Sequence, residues 1–222
     1  MSPEHHFNIF GPYGHVGKHL RTSRLPSPEK PVRCLFVGAV GGGLVEVRIE
    51  RLEKTQVAVQ YHEGPYEGLA DVIGSLVRWL KHHKKSGGAV TTVFLDPQGL
   101  EAGVPAPPQE NAGETGEAAE PTHDEGPAIQ AEVWVPWDQP SLPEGDEGEL
   151  TLKTSPAAQA ACVTYTGHPL GIPQLALALR SFLETQGHPP RPETRIVHLM
   201  PDWENPEDWV AEVQVPLEPD SE

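Results

Sequence analysis

Two short segments hold the residues best suited to chemistry, Ala131 to Pro136 (AEVWVP) and Ala211 to Pro216 (AEVQVP). Side chains of a strand alternate between its faces, so Glu132, Trp134 and Pro136 share one face while Val133 and Val135 share the other. A carboxylate beside an indole offers charge attraction and ring stacking to a cationic aromatic molecule. Glu212 holds the matching position in the second segment. Glu212 and Glu132 are also the candidates for catalysis, because a carboxylate desolvated against Trp has a raised pKa that suits acid–base work. Tyr61, Tyr66, Trp203 and Trp209 complete the candidate binding wall, with Trp137 as a further aromatic. Trp203 and Trp209 bracket a Pro-containing loop just before Glu212, and loops carry function more often than cores do. The same alternation suits carboxylates on a solvated face, and each aromatic taken alone suits core packing, as is expected of Trp79.

Other chemistries lack their residues. His5-His6, His62 and His82-His83 reach no metal-ligand spacing with Cys, and no His-x-x-x-His sits beside a Glu on a helix. The glycines of residues 11–19 miss the phosphate-loop pattern, with Pro12 and His19 at positions that need Gly and Ser or Thr. No Gly-x-Ser-x-Gly elbow is present. Neither a metal nor a cofactor is expected.

The elements that must position the candidates read clearly. Residues 45–52 (VEVRIERL) alternate apolar and polar as a half-buried strand does, and Val57, Val59 and Tyr61 alternate again after Glu53-Lys54-Thr55. These two are expected to pair as an antiparallel hairpin. Gly64-Pro65 ends the second, and residues 67–83 place Leu69, Val72, Ile73, Leu76, Val77 and Leu80 at helical steps of three and four. Residues 89–95 are β-branched and strand-like, followed by a turn at Asp96-Pro97-Gln98-Gly99, and residues 129–137 are their hairpin partner.

This order then recurs. Residues 149–153 and 159–165 are strands, 170–184 a helix with Pro173 near its first turn, and 194–200 and 209–217 a closing hairpin. Laying Gly64 on Gly167 also lays Gln56 on Gln159 and aligns the two A-E-V-x-V-P segments. The expected fold is α+β, a tandem repeat of one strand-turn-helix-strand-strand unit, with antiparallel strands and one main helix per repeat. Repeat one is 45–137 and repeat two is 149–217. An acidic insertion at 100–128 is expected to be disordered, since Ala, Glu, Pro and Gly dominate it and aromatics are absent. An acidic linker between two domains is the alternative; the repeat favours an insertion, because it assigns AEVWVP to the first copy.

Residues 1–44 read as a disordered or weakly ordered tail broken by Pro26, Pro28 and Pro31, in which only 32–40 suit a short buried strand. Three Gly codons before Leu44 resemble a ribosome-binding stretch ahead of an alternative start, which leaves open whether that tail is made. Residues 218–222 form a short acidic end.

Totals bound the partners. A formal charge of −16 argues against nucleic acid, whose phosphates need Lys and Arg. Thirteen of the acidic residues fall between Glu101 and Glu149, a span with no Lys or Arg, so the acidity is mostly that segment's own. No run approaches the ~20 apolar residues that span a bilayer, and the start lacks a signal-peptide layout. Two cysteines, Cys34 and Cys162, fit a reducing compartment, so a cytoplasmic protein without membrane contact is expected.

Tyr61-His62-Glu63-Gly64-Pro65-Tyr66 with Glu132 to Pro136, then Tyr165-Thr166-Gly167-His168-Pro169 with Glu212 to Pro216, resemble the GyrI-like small-molecule-binding domain, which also serves as the effector domain of multidrug-sensing transcription regulators. The resemblance spans residues 45–217 apart from the insertion. It implies a pseudo-twofold tandem repeat of βαββ-type units whose antiparallel sheets line a central ligand cleft, one that takes apolar, often cationic, aromatic molecules, with Glu212 and Glu132 pointing into it. His168-Pro169 departs from the Pro65-Tyr66 of the first copy. The resemblance implies binding that sequesters or senses such compounds; with no helix-turn-helix before Val45, control of transcription would need a separate regulator protein as partner. Its alternative is a hydrolase that opens cyclopropane-bearing or similarly reactive natural products through a cleft Glu aided by aromatics. A third reading is an interaction module for an acidic-tail partner, in which residues 100–128 would take part.

Overall fold

The computed structural model describes residues 32–36, 43–83, 89–104, 128–143, 150–201 and 204–219, with backbone alone for 32–36 and 43–45. Among these residues nine strands and three α-helices follow in chain order: β1 (Val32–Phe36), β2 (Gly43–Leu52), β3 (Thr55–Gly64), α1 (Leu69–His82), β4 (Val90–Phe94), α2 (Pro97–Ala102), β5 (Ile129–Pro136), β6 (Thr151–Ser155), β7 (Ala158–Thr166), α3 (Ile172–Thr185), β8 (Thr194–Met200) and β9 (Val210–Pro216). All strand pairs are antiparallel, in the order β1-β2-β7-β9-β8-β4-β5-β3-β6. The α+β class is as the sequence implies.

One expected pairing is corrected. β2 does not pair with β3; it pairs with β7, Arg48 opposite Cys162, while β3 pairs with β6, Val57 opposite Lys153. Alternation reveals which face of a strand is buried but not which strand lies beside it. The Glu53-Lys54 link also lacks the Gly or Asn that a two-residue hairpin needs for positive φ. The chain therefore runs on from one half of the sheet into the other.

The sheet is rolled. Arg195 on β8 donates to Ser155 on β6 at 3.0 Å. Those strands are four steps apart in the order, about 19 Å in a flat sheet and beyond an arginine's reach. Two cores result. On the face under the helices, Leu69, Ile73, Leu76 and Leu80 of α1 and Ile172, Leu175, Leu179 and Leu183 of α3 pack on Val133, Val135, Val163, Val213 and Val215. On the inside of the roll, Val57, Val59, Val93 and Trp134 form a smaller cluster. α1 carries Lys81 and His82 in its last turn, where positive charge suits the helix dipole.

Asp96 to Gly99, expected as a turn, is instead the start of α2: the Asp96 carboxylate accepts from Gly99 N at 3.0 Å and Pro97 takes the first helical position. Its Leu100 is fully buried, so residues 100–104, assigned by composition to the insertion, lie inside the fold. Residues 105–127 are outside the described residues. β1 pairs with β2, Val32 opposite Val47, where the tail was expected to hold a short strand. No helix among the described residues is long and apolar enough to cross a membrane.

Candidate ligand-binding site

Alternation along β5 and β9 places Glu132, Trp134 and Glu212 on the inner, rolled face, and Tyr61 of β3 stands opposite Glu132 in the register. Four expected site residues thus share one surface. Each carboxylate there is already engaged. Glu132 accepts from Trp134 Nε1 at 2.8 Å and from Lys153 Nζ at 2.8 and 3.0 Å. Glu212 accepts from Arg48 Nη2 at 2.7 Å and from Gln214 Nε2 at 2.8 Å. Trp134 is buried, and two cations lie against its ring, Arg195 at 5.1 Å and Lys153 at 5.5 Å from the centroid. Tyr61 is about half exposed, at 49%.

Cys162 lies on this face too, buried beneath Arg48, Glu50 and Glu212. Burial, then Glu212 and Glu50, push its thiol up to about 12, so it stays protonated and acts as a small apolar residue.

The other two described aromatics face the opposite way. Trp209 stands three residues before Glu212 and so falls on the helix side of the sheet, where it is buried. Tyr66 opens the single turn of 3-10 helix, Tyr66–Gly68, that leads into α1. Both line an apolar cavity of about 290 Å³ between the starts of α1 and α3, floored by the central strands β4 and β8. Leu69, Ala70 and Ile73 line one side, Pro169, Leu170 and Ile172 the other, and Thr92, Phe94, Ile196 and His198 form the floor. Trp203 lies outside the described residues. Trp137, considered for the wall, is a core residue instead: its Nε1 donates to Ser141 O at 2.9 Å and its ring packs on Trp79, centroids 4.8 Å apart. Trp79 packs its helix, as expected.

Local sequence builds this cavity. Gly167 adopts a φ of +141° that side chains other than glycine's rarely take, and its N–H donates to Trp209 O at 3.0 Å, tying the turn before α3 to the wall. His168, the departure from the first copy, caps the turn Pro169–Gly171: its Nδ1 accepts from Leu170 N at 3.3 Å and its carbonyl from the Tyr165 hydroxyl at 2.8 Å. On the other side Tyr66 stacks on Phe94, centroids 6.1 Å apart, and the end of α2 closes on Tyr66 so tightly that a Cβ at Gly103 would collide with its ring. The sequence reading missed Thr92, Phe94, Ile196 and His198, although their alternation on β4 and β8 places all four on one face.

Two titratable groups of the cavity are strongly shifted. Burial pulls His198 down to about 4, and burial followed by Glu67 pushes Tyr66 up to about 12. Both are neutral at pH 7. Thr92 Oγ1 and His198 Nε2 lie 2.9 Å apart, a hydroxyl next to a potential base. A base this hard to protonate, with no carboxylate on its second nitrogen, makes a poor nucleophile activator and a good neutral polar group.

No curated protein matches the chain. Among solved structures, EcmrR bound to DNA aligns with a TM-score of 0.54 at 15% identity, over 78% of this chain and 57% of that one. The chain thus spans just over half the length of that EcmrR chain. The EcmrR C-terminal domain aligns with a TM-score of 0.51 at 17% identity, over 79% of this chain and 99% of the domain. A hydrolase from Listeria innocua aligns with a TM-score of 0.48 at 10% identity, over 77% of this chain and 91% of that one. The EcmrR alignments establish likeness of fold. The family model of the GyrI-like small molecule binding domain matches residues 45–218, which take in nearly all of β2 and every later strand and helix, and the chain therefore belongs to the GyrI-like family.

Proposed function

We propose that this domain binds an apolar small molecule in the cavity between the starts of α1 and α3. The observation that carries this reading is the cavity itself, apolar, lined by Tyr66, Phe94 and Trp209, and holding a few convergent polar groups. At about 290 Å³ it stands at the small end of ligand pockets, which suits a molecule of one or two fused rings. In this reading the sheet order supports a pseudo-twofold relation between residues 45–137 and 149–217. From its centre at β8-β4 the order runs β9-β7-β2 one way and β5-β3-β6 the other, so each strand meets its counterpart at equal distance and the leading strands β2 and β6 are exchanged. Where the first half has the short α2 between β4 and β5, the second has a single 3-10 turn, Pro206–Asp208, between β8 and β9.

A second reading places a cationic aromatic ligand on the rolled face. What favours it is that Glu132, Trp134, Tyr61 and Glu212 share that surface. Such a ligand must displace Lys153 or Arg48, which already neutralise the carboxylates. Hydrolysis of a cyclopropane-bearing compound by Glu132 or Glu212 requires the same displacement before either can move a proton. The cavity requires none, so sequestering or sensing a bound molecule is the reading the geometry supports best. Sensing would then act through a separate regulator protein, in a reducing cytoplasm that suits the free Cys162.

Titration with the neutral naphthalene ketone prodan, followed by its fluorescence, tests the cavity. Ala70 is exposed and lies at the cavity's edge, so Ala70→Trp obstructs it at little cost to folding. Prodan affinity is expected to fall about tenfold or more in that variant, with thermal stability unchanged. Unchanged affinity contradicts the cavity reading. If rhodamine 6G binds and weakens in Glu132→Gln but not in Ala70→Trp, the rolled face is the site.

A further inference from the structure

We infer that Thr92 and His198 select the ligand, and that it is a neutral ring compound bearing a hydroxyl or carbonyl group that pairs with them. This rests on the cavity reading and adds to it the chemistry of the molecule bound. The two residues sit on adjacent central strands, Thr92 opposite Ile196 and Val90 opposite His198, so both point to the helix side where the halves of the sheet meet. Both are buried and both line the cavity. They are joined by the 2.9 Å contact between Thr92 Oγ1 and His198 Nε2, and the Trp209 ring holds the imidazole edge-on, centroids 5.5 Å apart at 86°.

Counting donors and acceptors shows what the pair still lacks. If Nε2 carries the imidazole proton, it donates to Thr92, which leaves the Thr92 O–H free to donate and Nδ1 free to accept. If Nδ1 carries it, Thr92 donates to Nε2, which leaves an Nδ1–H donor and a hydroxyl oxygen to accept. In either tautomer one donor and one acceptor remain after their mutual bond. Among the described residues His198 Nδ1 has no hydrogen-bond partner, although it is fully buried. A buried polar atom left unpaired is costly, and a ligand that supplies the partner recovers that cost on binding. The large majority of buried side-chain nitrogens in native folds have a partner, which sets this one apart.

Charge selects further. Among the described residues the lining holds one carboxylate, Glu67, which is exposed, and no Lys or Arg. With Tyr66 and His198 both neutral at pH 7, a cation or anion carried to the cavity floor would meet no counter-charge and lose its hydration. A hydroxyl or carbonyl group loses far less and finds its partner there.

Naphthalene and 2-naphthol, identical but for one hydroxyl, form the test, each measured by displacement of prodan at pH 7 from the full chain. The naphthol-to-naphthalene affinity ratio is expected to drop about five- to tenfold in Thr92→Val, the value of one buried hydrogen bond. Naphthalene affinity itself stays within about twofold, since Val fills the space of Thr; that binding also shows the variant to be folded. Thr92→Ser, which keeps the hydroxyl, retains the wild-type ratio, and His198→Phe loses it as Thr92→Val does. A ratio unchanged in both Thr92→Val and His198→Phe, with both compounds still bound, overturns the selection by these residues and leaves the cavity reading standing. Failure of both compounds to displace prodan from the wild type overturns both.

Discussion

Taking the protein from pH 7 to pH 5 is expected to cost it about 2 kcal/mol of stability through His198 alone. An unfolded histidine titrates near 6.5, whereas burial holds folded His198 down near 4. Between those values the unfolded chain binds a proton at this residue and the native one does not. Stability contributed by the neutral imidazole is therefore complete above pH 6.5, declines as the pH falls through that value, and is spent near pH 4, a total of about 3 kcal/mol. Carboxylates add their own dependence below pH 5, so pH 5 to 7 is the informative window. Urea unfolding of the wild type and of His198→Phe at pH 5, 6 and 7 isolates the residue by difference. The wild type is expected to lose about 2 kcal/mol more than the variant over this range. Equal losses would mean that His198 is protonated in the folded protein or is not buried.

Replacing Phe94 by Ala is expected to cost about 3–5 kcal/mol, the usual penalty for removing a buried phenylalanine. Phe94 is 1% exposed, stacks on Tyr66, and would touch a Cβ placed at Gly99, so it joins β4, α2 and the entry to α1. Existing empty space beside it gives the neighbours little with which to close the new hole. For a domain of this size each kcal/mol lowers the melting temperature by about 2–4 °C, so a drop of roughly 10 °C is expected in a calorimetric scan. Phe94→Leu, which keeps most of the volume, should lose far less. A Phe94→Ala variant within 2 °C of the wild type would show that the described packing between β4 and α2 is not formed, with the melting scale above setting that bound.

Much of this molecule was legible in its sequence, and the limits have physical causes. The helices showed in their apolar spacing and the strands in their alternation, because each period reports one buried face. Partner strands did not show: β2 pairing with β7 rather than β3 depends on contacts more than 100 residues apart, as Arg48 and Cys162 attest. Parity placed Glu132 with Trp134 on one face, yet it carries no sign that the face is rolled inward and that Lys153 and Arg48 arrive to pair with the carboxylates. The separation of Trp209 from Glu212 is legible in the sequence, since residues three apart in a strand face opposite ways. His198 and Thr92 were visible as polar residues in otherwise apolar alternations, but the cavity above them arises from where two helix starts lie over the sheet, which neither strand encodes.

The face of the sheet that meets the ligand decides between the cavity and the rolled surface. A heteronuclear NMR titration of isotope-labelled protein with prodan reads that face residue by residue. The expected result is a set of saturating shift changes at Leu69, Ala70, Phe94, Ile172, Ile196 and the Trp209 indole, with Tyr61, Glu132 and the Trp134 indole unmoved. Saturating changes confined to Tyr61, Glu132 and Trp134, with the residues around His198 undisturbed, would contradict it.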